Sequence, residues 1–552
     1  MYKGITKIIL ICITSLTVHS LLYSDWNPDG GMLVARNMQR NNMWWAFPDN
    51  EGGFWVAYWA KEDPGCFVQR IDSEGNRYYP FPGLPVVIPD TKQSYILYGA
   101  CTDGEGGIIV GLYKSLKLTG QRISADGERL WGDHGAVVIE GRRIDWGLDP
   151  AVAPDSVGGA YFGYWTPGTR ASRVGVQMLS ATGVPQFDNE VSTDVGPWAK
   201  LSYHPEGVVV LGHYALEDTI LCGLIYKHGI ELWSSHINMP RYQSSWTTLH
   251  AITNTINNNI CITCLPSGNY YHVLILDVDG QVKLGPLPFF YTDNRSYSGA
   301  NMSEPVVDDT GSVYVARWFD GGNSQNAVIK INQSGNLPWG TDGKLLIFQS
   351  DNISEYPGGK IIWDHNTRNI IASFEIYEYA DSGLINLAHA YVQSISSSGS
   401  INWSYSGIRV ITLNARDYFI YHKKILLLSD GSYVLLAITS NAVFAGKILP
   451  DGIVPGTVIT PPPPQWSFER VWPNPAAKEI NIRVRLPSGG GYLQVYNILG
   501  QKVNQKVIPS TKTETPVITN LDTSGLSSGL YFVRIGREDI GWKTKKIVLL
   551  NK

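Results

Sequence analysis

The sequence predicts an all-β protein, in which a series of repeated sheets is followed by a smaller β-sandwich. Three observations lead to this prediction: a composition rich in glycine and aromatic residues but poor in charge, a turn motif that recurs along the chain, and a run of four prolines at 461–464. Many glycines and aromatics with few charges favour short strands joined by tight turns.

Composition also limits the class of partner. The chain has 552 residues with 44 Lys+Arg against 48 Asp+Glu, so it lacks the basic field on which nucleic-acid binding relies. Hydrophobic residues make up 43% and charged residues 17%, which predicts a packed core and not a disordered chain. We therefore expect a folded protein with no nucleic-acid partner.

The first 24 residues are predicted to be a cleaved signal peptide. Lys3 and Lys7 precede an apolar run at 8–18, and the small residues Ser20 and Ser24 follow it. This run is shorter than the roughly twenty residues that a membrane-spanning helix needs. No later segment is long and apolar enough, so we expect no transmembrane segment in the mature chain.

The cysteines do not indicate a metal or redox site. Five remain after the signal peptide, and Cys261 and Cys264 form a CxxC spacing inside an apolar segment that predicts a strand. Residues three apart on a strand point to opposite faces, so the two sulfurs would diverge. With no second CxxC and no histidine cluster, we predict buried structural cysteines, no metal and no cofactor.

A repeat organises residues 25–459. An alternating apolar strand ends in a turn glycine, and a polar Asp-Gly turn lies about twenty residues upstream of it. The turn glycines are Gly75, Gly127, Gly183, Gly229, Gly280, Gly335, Gly399 and Gly452. Four short strands per unit at this period are typical of β-propeller blades. Eight blades fit the count; seven would fit if one of the degenerate units four, five and eight were not a blade.

The two ends of the repeat region are predicted to meet. The segment that begins at Trp26 is similar to the second half of a unit, as at Trp131 and Trp339, whereas the eighth unit breaks off after Asp451. The N-terminal strand would then complete the last blade and cover two sheet edges. The units look like propeller-type repeats of large secreted bacterial surface proteins. They also loosely resemble sialidase Asp-boxes, at Ser124 to Trp131, and quinoprotein-type propeller repeats.

Residues 460–465 are predicted to be a proline-rich linker, because consecutive prolines form a stiff extended spacer. Residues 466–552 beyond it carry more Lys and Arg than Asp and Glu, whereas acids are in excess before it. Alternating runs at 480–486, 492–496, 530–535 and 546–550 predict a small immunoglobulin-like β-sandwich.

This tail carries ordered motifs at 471–475, 495–500, 521–526, 528–535 and 545–550. They resemble the type A C-terminal sorting domain of the type IX, or Por, secretion system. The matching positions include Pro473, Asn474, Pro475, Gly500, Gly529, Tyr531 and Lys546. The resemblance implies a Bacteroidota-like cell, Sec export to the periplasm, recognition of residues 466–552 by the secretion machinery, and release or attachment at the cell surface.

The segments between units carry a recurring aromatic residue, and we predict no catalytic residue. Each ring would either wedge between neighbouring blades or line a face that binds a glycan or a protein. The predicted binding residues are Trp146, Trp198, Trp246, Tyr297, Arg143 and Asp145. The alternative is an extracellular hydrolase acting on carbohydrate or another substrate. Asp145 and Asp149, beside two arginines, would then supply carboxyl groups roughly 5–10 Å apart.

Overall fold

The structure is a computed structural model. It describes residues 26, 31–38, 44–61, 65–88, 95–141, 144, 151–166, 173–188, 191–193, 200–214, 219–226, 228–238, 248–253, 258–265, 270–290, 303–319, 325–340, 343–346, 353–356, 359–379, 385–404, 407–414, 420, 422–439, 441–455, 467–476, 478–485, 491–508, 517–537 and 541–550. The chain divides into two compact units, Met1–Gly456 and Thr457–Lys552. Every regular element within these ranges is a β-strand.

The first unit contains eight sheets, numbered here along the chain. β1 (Met32–Arg36) belongs to sheet 8. Sheet 1 has β2 (Trp44–Pro48), β3 (Phe54–Trp59), β4 (Cys66–Ile71) and β5 (Leu84–Pro85); sheet 2 has β6 (Ile96–Thr102), β7 (Ile108–Lys114), β8 (Lys117–Ile123) and β9 (Ala136–Glu140). Sheet 3 has β10 (Val152–Pro154), β11 (Ala160–Thr166), β12 (Arg173–Leu179) and β13 (Val191–Thr193); sheet 4 has β14 (Lys200–His204), β15 (Gly207–Tyr214), β16 (Thr219–Tyr226) and β17 (Glu231–Asn238).

The later sheets of this unit follow the same order. Sheet 5 has β18 (Thr248–Thr253), β19 (Ile260–Leu265), β20 (Tyr270–Leu276) and β21 (Val282–Phe290); sheet 6 has β22 (Val306–Val307), β23 (Val313–Phe319), β24 (Gln325–Ile331) and β25 (Lys344–Leu345). Sheet 7 has β26 (Ile353–Tyr356), β27 (Ile361–Asp364), β28 (Asn369–Tyr379), β29 (Ile385–Ser396) and β30 (Ile408–Asn414). Sheet 8 has β31 (His422–Leu427), β32 (Tyr433–Ile438) and β33 (Ala442–Ile448), with β1 paired to β33.

The second unit contains two sheets. Sheet 9 pairs β34 (Ser467–Trp472), β35 (Glu479–Arg485) and β38 (Val517–Asp522), in the order β34-β35-β38. Sheet 10 pairs β36 (Gly491–Asn497), β37 (Lys502–Ile508), β39 (Gly529–Arg537) and β40 (Gly541–Leu549), in the order β37-β36-β39-β40. One buried core, which includes Ile482, Val495 and Val533, lies between them. The predicted small β-sandwich is therefore present.

Each of the eight sheets shares a hydrophobic core with the sheet before it and the sheet after it. Sheets 1 and 2 pack through Ala57 and Val110, and the equivalent cores follow in order to sheets 7 and 8, which pack through Val392 and Leu435. A further core joins sheet 8 back to sheet 1. The all-β propeller class is confirmed. The count of eight blades and a closed ring stay predictions, which this cyclic order of cores supports.

The N-terminal strand provides the contact on which closure depends. β1 runs antiparallel to β33, with Leu33 opposite Phe444 and Arg36 opposite Ala442. Met32 and Val34 are buried in the core that joins sheets 8 and 1. Residues from the two ends of the repeat region thus share one sheet, and the edge of β33 is covered by backbone pairing.

The repeat motif acts between sheets as well as within them. At six turn glycines, an aromatic residue of the neighbouring sheet covers the glycine, whereas Leu287 and Leu284 cover Gly335. In order, Trp26, Tyr79, Trp131, Trp233, Trp339 and Trp403 cover Gly75, Gly127, Gly183, Gly280, Gly399 and Gly452. At Gly183, which has a φ of 78°, an added Cβ would lie 2.8 Å from Cγ of Trp131. The spacing of the motif therefore reflects packing between neighbouring units.

A second contact uses a basic side chain on the third strand of a sheet. Arg70 Nε donates to Asp49 Oδ2 at 2.9 Å, and Arg70 Nη1 donates to the Ala125 carbonyl of the next sheet at 2.7 Å. Lys447 does the same from sheet 8, donating to Asp430 Oδ2 at 2.8 Å and to the Ser73 carbonyl of sheet 1 at 3.0 Å. This contact therefore also connects the last sheet to the first.

Asp430 should make the propeller sensitive to acid. Burial acts to raise the pKa of Asp430, but hydrogen bonds from Lys447 and Ser432 outweigh it and lower the pKa below its ordinary value. A carboxyl group with a depressed folded pKa stabilises above its unfolded pKa of about 3.9, and this stability is lost as the pH falls through the folded pKa. Asp430→Asn is expected to lose less Tm than the wild type between pH 7 and pH 3.

The matched control is Asp451→Asn, because Asp451 also caps a turn of sheet 8, accepting from the Ile453 amide at 3.1 Å. Thermal unfolding followed by circular dichroism at a series of pH values compares the three proteins. Equal acid-induced losses of Tm in Asp430→Asn and the wild type would contradict the role given to this carboxylate.

Sheet 7 departs from the predicted four strands. Its first strand is interrupted, so that β26 pairs with β28 along 375–378 and β27 pairs with β28 along 369–372. Ser373 lies at the interruption, where its amide donates to the Lys360 carbonyl at 2.8 Å and its Oγ accepts from the Lys360 amide at 3.1 Å. The prediction of four strands was wrong for this unit, because its first strand is divided into β26 and β27.

Candidate functional site

The predicted binding residues of the propeller fall outside the part of the chain that the structure describes. They are Trp146, Trp198, Trp246, Tyr297, Arg143 and Asp145, and the alternative carboxylate Asp149 is outside it as well. The recurring aromatics also include Trp45, Tyr95 and Tyr356, which lie in the described residues, and the side chains of the first two are described. Tyr95 is buried and Trp45 is half-buried, and both pack in the core between sheets 1 and 2. The rings of Trp45 and Tyr95 therefore pack between neighbouring sheets, which is the first of the two predicted roles for the recurring aromatics.

The first strand of sheet 1 carries aromatic side chains that are only partly covered. Trp44, Trp45 and Phe47 on β2 are each half-buried. Lys424 Nζ, on the neighbouring first strand β31, lies 4.6 Å from the centre of the Phe47 ring. First strands contact one another between most successive sheets, as β2 does with β6 and with β31. Trp44 packs against the core between sheets 8 and 1, whereas Trp45 and Phe47 pack against the core between sheets 1 and 2, and each ring keeps part of its surface outside these cores.

The carboxylates of the Asp-Gly turns, by contrast, are occupied by internal contacts. Asp103 Oδ1 accepts from the amides of Glu105 and Gly107 at 2.8 and 2.7 Å, and its Oδ2 accepts from Arg122 Nε at 3.0 Å. Asp49 makes the equivalent bonds, and Asp308 caps its own turn in the same way. These carboxylates hold turns and neighbouring sheets together, which leaves them poorly suited to acid–base chemistry.

A buried charged cluster joins sheets 7 and 8. Lys423 Nζ forms an ion pair with Glu375, and the Tyr377 hydroxyl donates to Glu375 Oε2 at 2.9 Å and to the Ile420 carbonyl at 3.1 Å. Only 2% of Lys423 and 3% of Glu375 is exposed. Burial lowers the pKa of the Lys423 ammonium well below its ordinary value, and the nearby positive charge of Lys360 lowers it further. With so little exposed surface, the cluster contacts no solvent-borne ligand, and its role is structural.

The sequence analysis missed this cluster, although one signal was present. On β28 of sheet 7, Ile370 pairs with Ile395 of β29, and Glu375 is the sixth residue when Ile370 is counted as the first. The same position is Trp59 in sheet 1, Tyr113 in sheet 2, His213 in sheet 4, Trp318 in sheet 6 and Ile438 in sheet 8. Glu375 is the acid among these positions.

The described residues show no metal or reactive thiol site. No group of three or more His, Cys, Asp or Glu side chains among them could hold a metal ion. Cys66, Cys101, Cys222 and Cys261 are buried and unpaired with one another, and burial raises the pKa of Cys261 to about 12. Cys261 and Cys264 lie on the same strand, β19, as predicted.

In the second unit, the start of the tail motif is tied to the last strand. Val548 N donates to Asn474 Oδ1 at 2.9 Å, Ala476 N donates to the Val548 carbonyl at 3.0 Å, and Leu550 N donates to the Ala476 carbonyl at 2.7 Å. Pro473 and Pro475 flank Asn474 and are exposed. The Pro-Asn-Pro motif therefore covers the free edge of β40 near its C-terminal end.

The other motif positions support turns and the core. Gly500 ends the turn after β36 with a φ of 76°, and Asn497 Oδ1 caps that turn by accepting from the Leu499 and Gln501 amides at 3.0 Å. Tyr531 packs in the core, with its hydroxyl donating to the Ser527 carbonyl at 3.0 Å. Gly529 opens β39, and Lys546 lies exposed on β40. The motif thus specifies a compact tail fold.

Comparison with known families now identifies this tail. Residues 470–550 match the family described as the secretion system C-terminal sorting domain. The tail is a Por-type sorting domain. The sorting domain directs export through the type IX secretion system, so the chain is secreted or held at the cell surface. Within the described residues, no helix is long and apolar enough to cross a membrane.

The chain has distant likenesses among solved structures. Prolyl oligopeptidase B from Galerina marginata, in its apo form, is 11% identical with a TM-score of 0.36, covering 80% of this chain and 56% of that one. The periplasmic gluconolactonase PpgL of Pseudomonas aeruginosa is 12% identical with a TM-score of 0.33, covering 63% of this chain and 94% of that one. The match thus spans just over half of the oligopeptidase. No curated protein matches the sequence.

Removing the Asn474 side chain should loosen the end of the sorting domain. Asn474→Ala deletes the acceptor of the Val548 amide, which is expected to cost about 1 kcal/mol of unfolding free energy and to open the end of β40. Hydrogen exchange should then show faster exchange at Val548 and Leu550. The control is Asn504→Ala on β37, away from this edge. Unchanged exchange at both amides in Asn474→Ala would contradict the role of the motif.

Proposed function

We propose that the exported propeller is a non-catalytic binding module that recognises an extracellular glycan or protein. The face that carries the segments between sheets would provide the binding surface, with Trp146, Trp198, Trp246 and Tyr297 as the aromatic contacts. Arg143 and Asp145 would provide polar contacts to the ligand. Aromatic rings with a few polar groups suit both sugar rings and protein surfaces.

The observation that carries this proposal is the half-buried aromatic run on β2. Trp44, Trp45 and Phe47 stay partly open on a first strand, beside the Lys424 ammonium. The Asp-Gly turns supply a second line of support, because Asp49 and Asp103 are committed to internal hydrogen bonds and ion pairs. Binding would therefore use the exposed parts of these aromatic rings and not the carboxylates that hold the turns.

The test is a glycan array and a binding screen with the exported protein and its Trp146→Ala/Trp198→Ala variant. We expect the variant to lose at least about ten-fold in affinity with little change in Tm, because the rings would contact ligand and not hold blades together. Tyr78→Ala is the control, since Tyr78 is a 49% exposed aromatic near the turn glycine of sheet 1. Loss of folding without a selective loss of binding would refute the proposal.

The hydrolase alternative makes a different prediction. If Asp145 and Asp149 were the catalytic carboxylates, the wild type would cleave a bound glycan, and Asp145→Asn/Asp149→Asn would abolish cleavage while keeping binding. Binding without turnover by the wild type, together with weaker binding in the Asp variant, which removes the polar contact of Asp145, would favour the binding module.

A further inference from the structure

Sheet 10 of the sorting domain has one face in the core and one face open. Leu493, Val495, Val533 and Ile547 point into the core. The alternate residues form the opposite face, and they include large apolar side chains: Tyr492 is 38% exposed, Phe532 36%, Leu530 36% and Val507 64%. An exposed row of this kind on a sheet is a feature of interaction surfaces.

The strand register places aromatic and basic side chains in one row across this outer face. Tyr496 on β36 lies opposite Phe532 on β39, and Lys502 on β37 and Lys546 on β40 lie opposite these two on their outer sides. One row across all four strands therefore reads lysine, aromatic, aromatic, lysine. The aromatic centre offers apolar contact area and the lysines form a positive rim.

Charge is segregated onto this sheet. The strands β36, β37, β39 and β40 contain no Asp or Glu, and the charged residues in register with the outer face are Lys502, Arg534 and Lys546. Lys506, Arg537, Lys543 and Lys545 are in register with the core-facing residues. Sheet 9 is balanced, because Glu469, Glu479 and Asp522 offset Arg470, Arg483 and Arg485. A surface complementary to sheet 10 must therefore be acidic at its rim, which argues against a second copy of the same positive face.

The middle of the face carries a directional polar network. The Tyr496 hydroxyl donates to Gln494 Oε1 at 2.8 Å, Gln494 Nε2 donates to Gln505 Oε1 at 3.3 Å, and Lys502 Nζ donates to the same Gln505 oxygen at 2.7 Å. Fixed donors and acceptors between apolar residues suit a structured partner, whereas a lipid headgroup layer offers no matching geometry.

We propose that the outer face of sheet 10, centred on Tyr496 and Phe532 with Lys502 and Lys546 at its rim, is the surface by which the sorting domain docks on a protein of the export machinery, one with an apolar centre and an acidic rim. The inference rests on the export role of the sorting domain. It assigns recognition to an open sheet face, whereas the Pro-Asn-Pro motif serves the fold of the tail.

The experiment follows export of the full chain in cells that have the secretion system, with the periplasmic and extracellular fractions measured by immunoblotting. Lys502→Glu/Lys546→Glu, and separately Phe532→Ser, are expected to lower the extracellular fraction at least about ten-fold and to leave folded protein in the periplasm. Lys502→Arg/Lys546→Arg keeps the charge and is expected to export normally.

Ile518→Ser is the matched control, because Ile518 is 56% exposed but lies on sheet 9. Thermal unfolding of each purified full chain establishes that the variants fold. Export of the sheet 10 variants at the level of Ile518→Ser would overturn the proposal. So would binding of the wild type, but not of the lysine variant, to vesicles of anionic phospholipid, which would assign the face to a membrane.

A deletion of residues 467–552 separates this inference from the export role. If the deletion blocks export while the sheet 10 variants do not, only the docking face is wrong. If the deletion leaves export unchanged, the sorting role itself fails.

Discussion

Lys423→Met is expected to lower the free energy of unfolding by about 3–5 kcal/mol. The substitution removes the only ion-pair partner described for Glu375 and leaves a carboxylate that is 3% exposed between sheets 7 and 8. The Tyr377 hydroxyl alone cannot compensate for burial of that charge. Urea unfolding of the wild type and the variant measures the difference.

Two further measurements separate this effect from a simple packing defect. Glu375→Leu/Lys423→Met removes both charges and is expected to recover most of the lost stability, since apolar replacements of buried pairs are often neutral or stabilising. The deficit of Lys423→Met should also shrink as the pH falls, because protonation neutralises the unpaired buried carboxylate and removes the cost of burying its charge. A double variant as unstable as the single one would contradict the account.

Trp26→Ala is expected to cost about 3–5 kcal/mol, as is usual for a buried tryptophan. Trp26 is 3% exposed, lies against the turn glycine Gly75 of sheet 1, and donates from Nε1 to the Ser73 carbonyl at 3.4 Å. The loss of unfolding free energy would be small if the segment that contains Trp26 and β1 were only weakly packed on the sheets. Chemical unfolding of the exported protein measures the loss.

Trp131→Ala is the matched comparison, because Trp131 covers Gly183 in the same way but within a continuous stretch of chain. Closure of the ring predicts similar losses for the two substitutions. A large loss for Trp131→Ala with almost none for Trp26→Ala would mean that the N-terminal segment does not hold the first and last sheets together.

Much of the propeller could be predicted because turn chemistry is local. An aspartate that caps its own turn and a glycine with positive φ are read within a few residues, as at Asp103 and Gly106, and period-two alternation locates the strands beside them. The recurrence of tryptophan was visible as well. The residue that each tryptophan covers could not be predicted, because that glycine belongs to the next unit.

Contacts between distant residues account for what the sequence analysis missed. Glu375 and Lys423 are 48 residues apart and each stands in an apolar segment, so neither signals the other. In the tail, β37 is mostly exposed and shows no clear alternation, and the outer face of sheet 10 exists only once β36, β37, β39 and β40 are in register. Register of this kind is a tertiary property.

A disulfide between the two ends of the repeat region tests ring closure most directly. Arg36 and Ala442 face each other across β1 and β33, so Arg36→Cys/Ala442→Cys should form an intramolecular disulfide on oxidation of the folded protein. Arg36→Cys/Leu449→Cys is the control, since position 449 lies about 23 Å further along at roughly 3.3 Å per residue. The account predicts a faster-migrating, reducible species on a non-reducing denaturing gel for the first pair only. Equal crosslinking of both pairs, or of neither, would contradict a closed ring.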